Sequence, residues 1–147
     1  MAGDFARAFQ QDMMEEMFGS SSTNQVPSTY WFHLYNTTLN DAATPATTGR
    51  VGTTAAADNY TPKNLGNTTV NFSAPTAADP SVSQTKVEIV FTTSATTGWG
   101  LVKAVQVASS SGTGGRAIAW ADLTVQQTIS AGNTVKFSTG AFTVSLT

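Results

Sequence analysis

The C-terminal third of the chain, residues 98–146, is a series of short apolar runs separated by clusters of glycine and serine. Two runs, residues 101–107 and 117–123, flank a loop of serine, threonine and glycine. Runs of this length that are rich in β-branched residues and end at turn-forming residues are typical of β-strands. Near the end of the chain, residues 142–146 alternate apolar and hydroxyl side chains, which is the period of a half-buried strand, and Val135 and Phe137 show the same period just before the turn-forming residues 138–141. We therefore predict an all-β fold, a β-sandwich or a jelly-roll-like domain, with residues 135–146 as a β-hairpin.

The chain carries few charges for its length. Of its 147 residues, 11% are charged, against about 25% in an ordinary soluble domain. The length predicts one domain. The low fraction of charged residues predicts that copies of the chain repel one another weakly, as expected of a subunit in an assembly. The net charge is -2 and the seven Lys and Arg residues are scattered singly, which argues against nucleic acid as a partner.

Other classes of protein are disfavoured by what the sequence lacks. There is no cysteine, so a disulfide framework, a thiolate metal site and a thiol nucleophile are excluded. No segment approaches the 18–20 or so apolar residues of a membrane-spanning helix, and we expect no membrane partner. The first residues are interrupted by charges and do not read as a signal peptide, so we expect synthesis in a cytoplasm.

An amphipathic helix is predicted over residues 4–18. Large apolar residues recur there every four positions, and Gly19 stands where a helix C-cap is expected. We name these apolar residues the N-terminal stripe, and they are Phe5, Phe9, Met13, Met17 and Phe18. Because about 15 residues are marginal for an isolated helix, the stripe must dock on a surface. It covers either an open edge of its own β-domain or a neighbouring subunit, and in the second case it is the assembly interface.

The predicted organisation is an N-terminal helix over residues 1–19, a polar linker over 20–29 and a β-sandwich over 30–147. The sandwich begins with the aromatic strand at residues 30–35, whose two faces are both bulky, so we expect it to be covered on both sides. A further strand is predicted over residues 67–73, with Val70 and Phe72 facing inward.

The residues that could carry chemistry are few. His33 is the single histidine, and it has no cysteine and no acid near it in sequence, so we interpret it as a packed structural residue. Trp99 lies between two glycines and is either a core plug or an exposed platform for a sugar. The loop at residues 109–115 lacks the Lys-Ser/Thr ending of a phosphate loop and is predicted to be a hairpin connection. We predict no catalytic residue, metal site or cofactor, and no enzyme activity.

Several motifs resemble one family. They are Met17-Phe18-Gly19, Val26-Pro27-Ser28, Leu34-Tyr35-Asn36-Thr37, Gly98-Trp99-Gly100, the glycine-rich turn at residues 112–115, Trp120-Ala121-Asp122-Leu123-Thr124 and the segments 129–137 and 140–144. In this order they resemble small virion proteins of tailed bacteriophages, which are often labelled tail fibre proteins and some of which are thought to decorate the capsid. The chain departs from the family pattern at Tyr60-Thr61-Pro62, which lacks an arginine, and at residues 109–111, which lack an aspartate.

The resemblance implies a structural virion protein assembled in the host cytoplasm. We expect first a capsid decoration, or cement, protein on the virion surface, with the phage major capsid protein and copies of itself as partners, in a homotrimer. The alternative is a tail fibre or minor tail protein with a receptor- or carbohydrate-binding role.

Overall fold

The computed structural model describes residues 2–6, 9–11, 13–14, 26–40, 45, 48–51, 60–77, 81–93, 96–112 and 114–146. Within these ranges the chain forms nine strands: β1 (Ala2–Phe5), β2 (Thr29–Tyr35), β3 (Lys63–Gly66), β4 (Ser81–Gln84), β5 (Ile89–Thr92), β6 (Gly100–Ala108), β7 (Ala117–Ile129), β8 (Thr134–Phe137) and β9 (Thr143–Leu146). The all-β prediction is confirmed.

The strands form one large sheet and two small ones. The large sheet has the order β1-β7-β6-β2-β3, and β4 pairs with β9 while β5 pairs with β8. Every pairing is antiparallel. The long hairpin of β6 and β7 lies at the centre of the large sheet, so the C-terminal third does supply its middle strands.

The main core lies between one face of the large sheet and the β5–β8 pair. Phe32 and Leu34 of β2 belong to the same buried cluster as Ile89 and Phe91 of β5. Phe142 closes this cluster from the segment before β9. Its ring lies 4.9 Å, centroid to centroid, from the ring of Phe32 and 4.9 Å from that of Phe137. Aromatic pairs at such separations contribute beyond the apolar area they bury.

The aromatic strand is confirmed as β2, and it is covered on both faces. Phe32 and Leu34 face the main core, while His33 and Tyr35 point to the opposite face, and each of the four is no more than 1% exposed. Tyr35 belongs to a second small cluster with Leu39 and Ala104. The alternation of two bulky faces in the sequence therefore predicted burial on both sides correctly.

The predicted hairpin over residues 135–146 is wrong. β8 pairs with β5 and β9 pairs with β4, so the two final strands lie in different sheets. Val144, an apolar residue of the alternating pattern that predicted this strand, is 40% exposed. Alternation of apolar residues reports which face of a strand is buried, but it does not report the strand's partner.

The predicted strand over residues 67–73 is also wrong. Residues 67–71 form a turn, only Phe72 makes an isolated β-bridge, and Val70 is 71% exposed. Side-chain chemistry explains the turn, since the Asn71 amide donates a hydrogen bond to the carbonyl of Gly66, 2.8 Å away. Asparagine side chains that bond nearby backbone favour turns over strands. The strand lies earlier, as β3.

The predicted helix does not begin at Asp4. The backbone of residues 2–5 is extended and pairs with β7, Phe5 lying opposite Ala119. Helical backbone appears only afterwards, at residues 9–11 and 13–14. Residues 15–25, which hold the end of the predicted helix and most of the predicted linker, lie outside the described residues. Within the described ranges, no helix has the length and apolar character needed to cross a bilayer.

Candidate assembly surface

The N-terminal stripe begins with Phe5, the last residue of the edge strand β1 of the large sheet. The amide of Ala6 donates to the carbonyl of Ile118, which continues the β1–β7 ladder by one bond. The chain then turns, because the amides of Phe9 and Gln10 both donate to the carbonyl of Ala6. The turn directs the residues that follow back over the sheet.

Phe9 is buried against the chain's own sheet. It is 8% exposed and lies in a cluster with Ala6, Ala117 and Ile118, against which Phe5 and Met13 pack. The rings of Phe5 and Phe9 stack with centroids 5.7 Å apart. Met17 and Phe18 lie outside the described residues. The first part of the stripe thus covers the chain's own sheet, and contact with a neighbouring subunit stays a prediction.

The opposite face of the large sheet carries a buried polar row. The hydroxyl of Tyr35 on β2 donates to Oε1 of Gln106 on β6, 2.9 Å away. Beside them, Nε2 of His33 lies 2.9 Å from the carbonyl oxygen of Ser110. Arg50 donates to the carbonyl of Ser111. The side chains of His33 and Arg50 therefore hold the β6–β7 loop. Because β6 and β7 pair directly, the prediction that residues 109–115 form a hairpin connection is confirmed.

His33 is uncharged at neutral pH. Burial lowers the pKa of its imidazole to about 4, a fall that the Ser110 hydrogen bond opposes and the nearby Arg50 charge assists. Because a carbonyl can only accept, Nε2 carries the proton, and Nδ1 is buried with no hydrogen-bond partner among the described residues. The side chain is 0% exposed, so solvent and solutes do not reach it. The interpretation of His33 as a packed structural residue is confirmed.

The buried tyrosines are structural as well. The hydroxyl of Tyr60, three residues before β3 begins, accepts a hydrogen bond from the Leu34 amide at 2.7 Å. Burial raises the pKa of Tyr60, and it raises the pKa of Tyr35 to about 12. Both hydroxyls therefore stay protonated in any ordinary buffer and serve as neutral hydrogen-bonding groups.

Trp99 is buried in the core and is not exposed for stacking on a sugar. It is 6% exposed, and its ring lies 5.3 Å from that of Tyr60 in an edge-to-face arrangement. A Cβ on Gly98 would lie 2.4 Å from the carbonyl oxygen of Ile129. The neighbour of Trp99 must therefore be glycine because the backbone of β7 passes so close.

Among the described residues, no group of three or more His, Cys, Asp or Glu side chains could hold a metal ion.

The outer part of β7 is a feature that the sequence reasoning missed. The predicted strand ended at Leu123, but β7 continues to Ile129, and residues 124–128 are all exposed. Its ladder with β6 is interrupted before the end, because Asp122 pairs with Ala104 and Gln127 with Val102, so residues 123–126 bulge opposite Lys103. A signal for the longer strand was present, since threonine and valine favour strands. The run lacks the apolar alternation on which strand predictions rely.

Comparison with known proteins gives one family. A family model described as podophage GP4 fiber I protein gp80 matches residues 4–145. No curated protein matches the chain.

Proposed function

Because the chain belongs to the family of the podophage GP4 fiber I protein gp80, we propose that it is a subunit of a fibre on a tailed-phage virion. A structural role in the virion follows from the family, and the match over residues 4–145 is the observation that carries the proposal. The word fibre in the family description favours the fibre role over the capsid-decoration role that we expected first.

The buried polar groups support a structural role without chemistry. His33 and Tyr35 make their hydrogen bonds inside the protein, to Ser110 and Gln106. A catalytic group must reach a substrate, whereas these side chains are 0% exposed. Their bonds join β2 to β6 and to the β6–β7 loop, and such bonds rigidify a structural subunit.

The composition supports assembly from many copies. With 11% charged residues, subunits repel one another weakly. The partners that we propose are therefore copies of this chain and the virion protein on which the fibre is mounted. For a decoration protein, the second partner would instead be the major capsid protein.

Copy number separates the two roles. A fibre at the tail is present in few copies, whereas decoration of a capsid lattice needs hundreds. Purified virions are separated on a denaturing gel, and the band of this 15.3 kDa chain is quantified against the major capsid protein. A ratio of a few tens of copies or fewer supports the fibre, and a ratio near one per capsid subunit or per capsomer contradicts it.

Antibody labelling independently tests where on the virion the protein lies. Antibodies against the purified chain are added to intact particles and located by electron microscopy. Labels at the tail region support the fibre, and labels distributed over the head support decoration. Antibodies against the major capsid protein serve as the control for labelling of the head.

A further inference from the structure

Three side chains lie next to one another across the middle of the large sheet. His33 of β2 pairs with Gln106 of β6, and Gln106 pairs with Trp120 of β7. Directly paired residues of antiparallel strands share one face of the sheet, and their Cβ atoms lie about 4.5–5.5 Å apart. The three side chains therefore form a row on the face opposite the main core, which we name the His33–Trp120 row.

Each end of the row holds a buried polar atom. Nδ1 of His33 and Nε1 of Trp120 are both buried, and neither has a hydrogen-bond partner within the part of the chain that the structure describes. Leu39 helps to cover this face, since it packs with Tyr35 and Ala104 in a cluster that Trp120 joins. An unpaired buried polar group is costly, and native proteins satisfy most such groups with protein atoms or ordered water. The two nitrogens therefore point to a ligand.

The two nitrogens have opposite hydrogen-bonding roles. Because Nε2 of His33 donates to the carbonyl of Ser110, Nδ1 carries a lone pair and can only accept. The indole Nε1–H of Trp120 can only donate. A cation would suit Nδ1 alone, and the nearby positive charge of Arg50 opposes it. An anion would suit Nε1 alone, whereas water donates at one end and accepts at the other.

Gln106 provides a polar surface between the two ends. Its side chain is 1% exposed, and its Oε1 accepts a hydrogen bond from the hydroxyl of Tyr35, 2.9 Å away. This bond fixes the orientation of the amide, which can both donate and accept. A buried water needs two to four polar partners. The two end nitrogens together with the Gln106 amide meet that requirement.

We propose that the His33–Trp120 row is a binding site for buried water. A water donates to Nδ1 of His33 and accepts from Nε1 of Trp120, either directly or through a second water that lies on the Gln106 amide. The water joins β2 to β7, two strands that β6 separates in the sheet. The proposal does not depend on whether the protein is a fibre or a decoration subunit.

Nuclear Overhauser effects between water and the indole protons test the site in the full-length chain. The indole proton of Trp120 should show an effect with the sign of a long-lived water, opposite to that of surface hydration. Trp99 is the matched control, because its Nε1 is also buried and unpaired among the described residues but lies in the apolar main cluster, where water is not held. Trp120→Phe and Trp99→Phe each remove one indole signal and so assign the two. The proposal is overturned if Trp120 shows no such effect, or if Trp99 shows it equally.

A high-resolution crystal structure of the full-length chain identifies directly what lies beside the two nitrogens. We expect water density within about 2.7–3.2 Å of Nδ1 of His33 and of Nε1 of Trp120. This measurement also separates a bound water from a hydroxyl proton that exchanges with solvent and gives the same Overhauser effect. A protein atom in the hydrogen-bonding position of either nitrogen, or ordered surroundings without water density, overturns the proposal.

Discussion

Nε2 of His33 donates a hydrogen bond to the backbone carbonyl of Ser110, and the two atoms lie 2.9 Å apart. The bond joins the middle of β2 to the loop between β6 and β7. It also fixes the tautomer of the imidazole, and it leaves the other ring nitrogen buried without a partner among the described residues. Protonation of the ring would add an N–H group at the buried Nδ1 and would place a positive charge near Arg50.

The first prediction is that acid destabilises the protein through His33. The pKa of the folded protein is about 4, below the ordinary value of 6.5, so the unfolded chain binds the proton first. Stability is therefore full above pH 6.5 and falls as the pH decreases from 6.5 to 4. The loss should be about 2–4 kcal/mol in the free energy of unfolding. Urea unfolding at a series of pH values measures it.

His33→Gln is the matched control for that experiment. The glutamine amide can still donate toward Ser110 but does not titrate. The variant should be modestly less stable at pH 7 and should lose most of the fall between pH 6.5 and 4. A fall of the same size in the variant would assign the effect to carboxyl groups instead. Because we predict no enzyme activity, hydrolysis of a cell-wall glycan that this substitution abolishes would contradict the structural role.

The second prediction concerns Phe142. Its ring contacts Phe32 and Phe137, but it is only half-buried, so Phe142→Ala should lower the free energy of unfolding by about 2–4 kcal/mol. Phe91→Ala, at a site that is 0% exposed, should cost more, about 3–5 kcal/mol. Chemical denaturation of both variants measures the difference. An unchanged midpoint for Phe142→Ala would show that this residue is not part of the core.

The third prediction concerns Gly98. A Cβ there would lie 2.4 Å from the Ile129 carbonyl oxygen and 2.8 Å from backbone atoms of Ser130, and backbone cannot move aside as a flexible side chain can. Gly98→Ala should therefore destabilise the protein by about 3 kcal/mol. Gly114→Ala is the control, because a Cβ at Gly114 meets nothing within 4 Å. Thermal unfolding of the two variants should separate them clearly, and equal melting temperatures would contradict the close approach.

The fourth prediction separates the two roles of the N-terminal stripe. Phe9 packs on Ala117 and Ile118, so Phe9→Ala should lower the stability of the chain by about 3 kcal/mol. Met14 is 54% exposed, and Met14→Ala should leave stability unchanged. Unfolding and light scattering are measured on the same samples. If Phe9→Ala keeps full stability but loses self-association, the stripe serves a neighbouring subunit and not the chain's own sheet.

Apolar residues that alternate or run together identified most of the strands, although the same pattern at residues 67–73 belongs to a turn. β2, β6 and the first part of β7 were predicted from their residues, and so was the packing of His33 inside the protein. These are local properties, because the side-chain period and the size of neighbouring residues decide them. The order of motifs carried the resemblance to virion proteins, and the low fraction of charged residues agreed with an assembled subunit.

The pairing of the strands is visible only in the folded chain. β8 and β9 are neighbours in sequence but join β5 and β4, and nothing within residues 135–146 encodes those partners. The same limit explains the N-terminus, where Phe5 shares a helical spacing with Phe9 but is held in a strand by its ladder with Ala119. Pairing is a property of two distant segments, and a periodic pattern in one of them describes only its own faces.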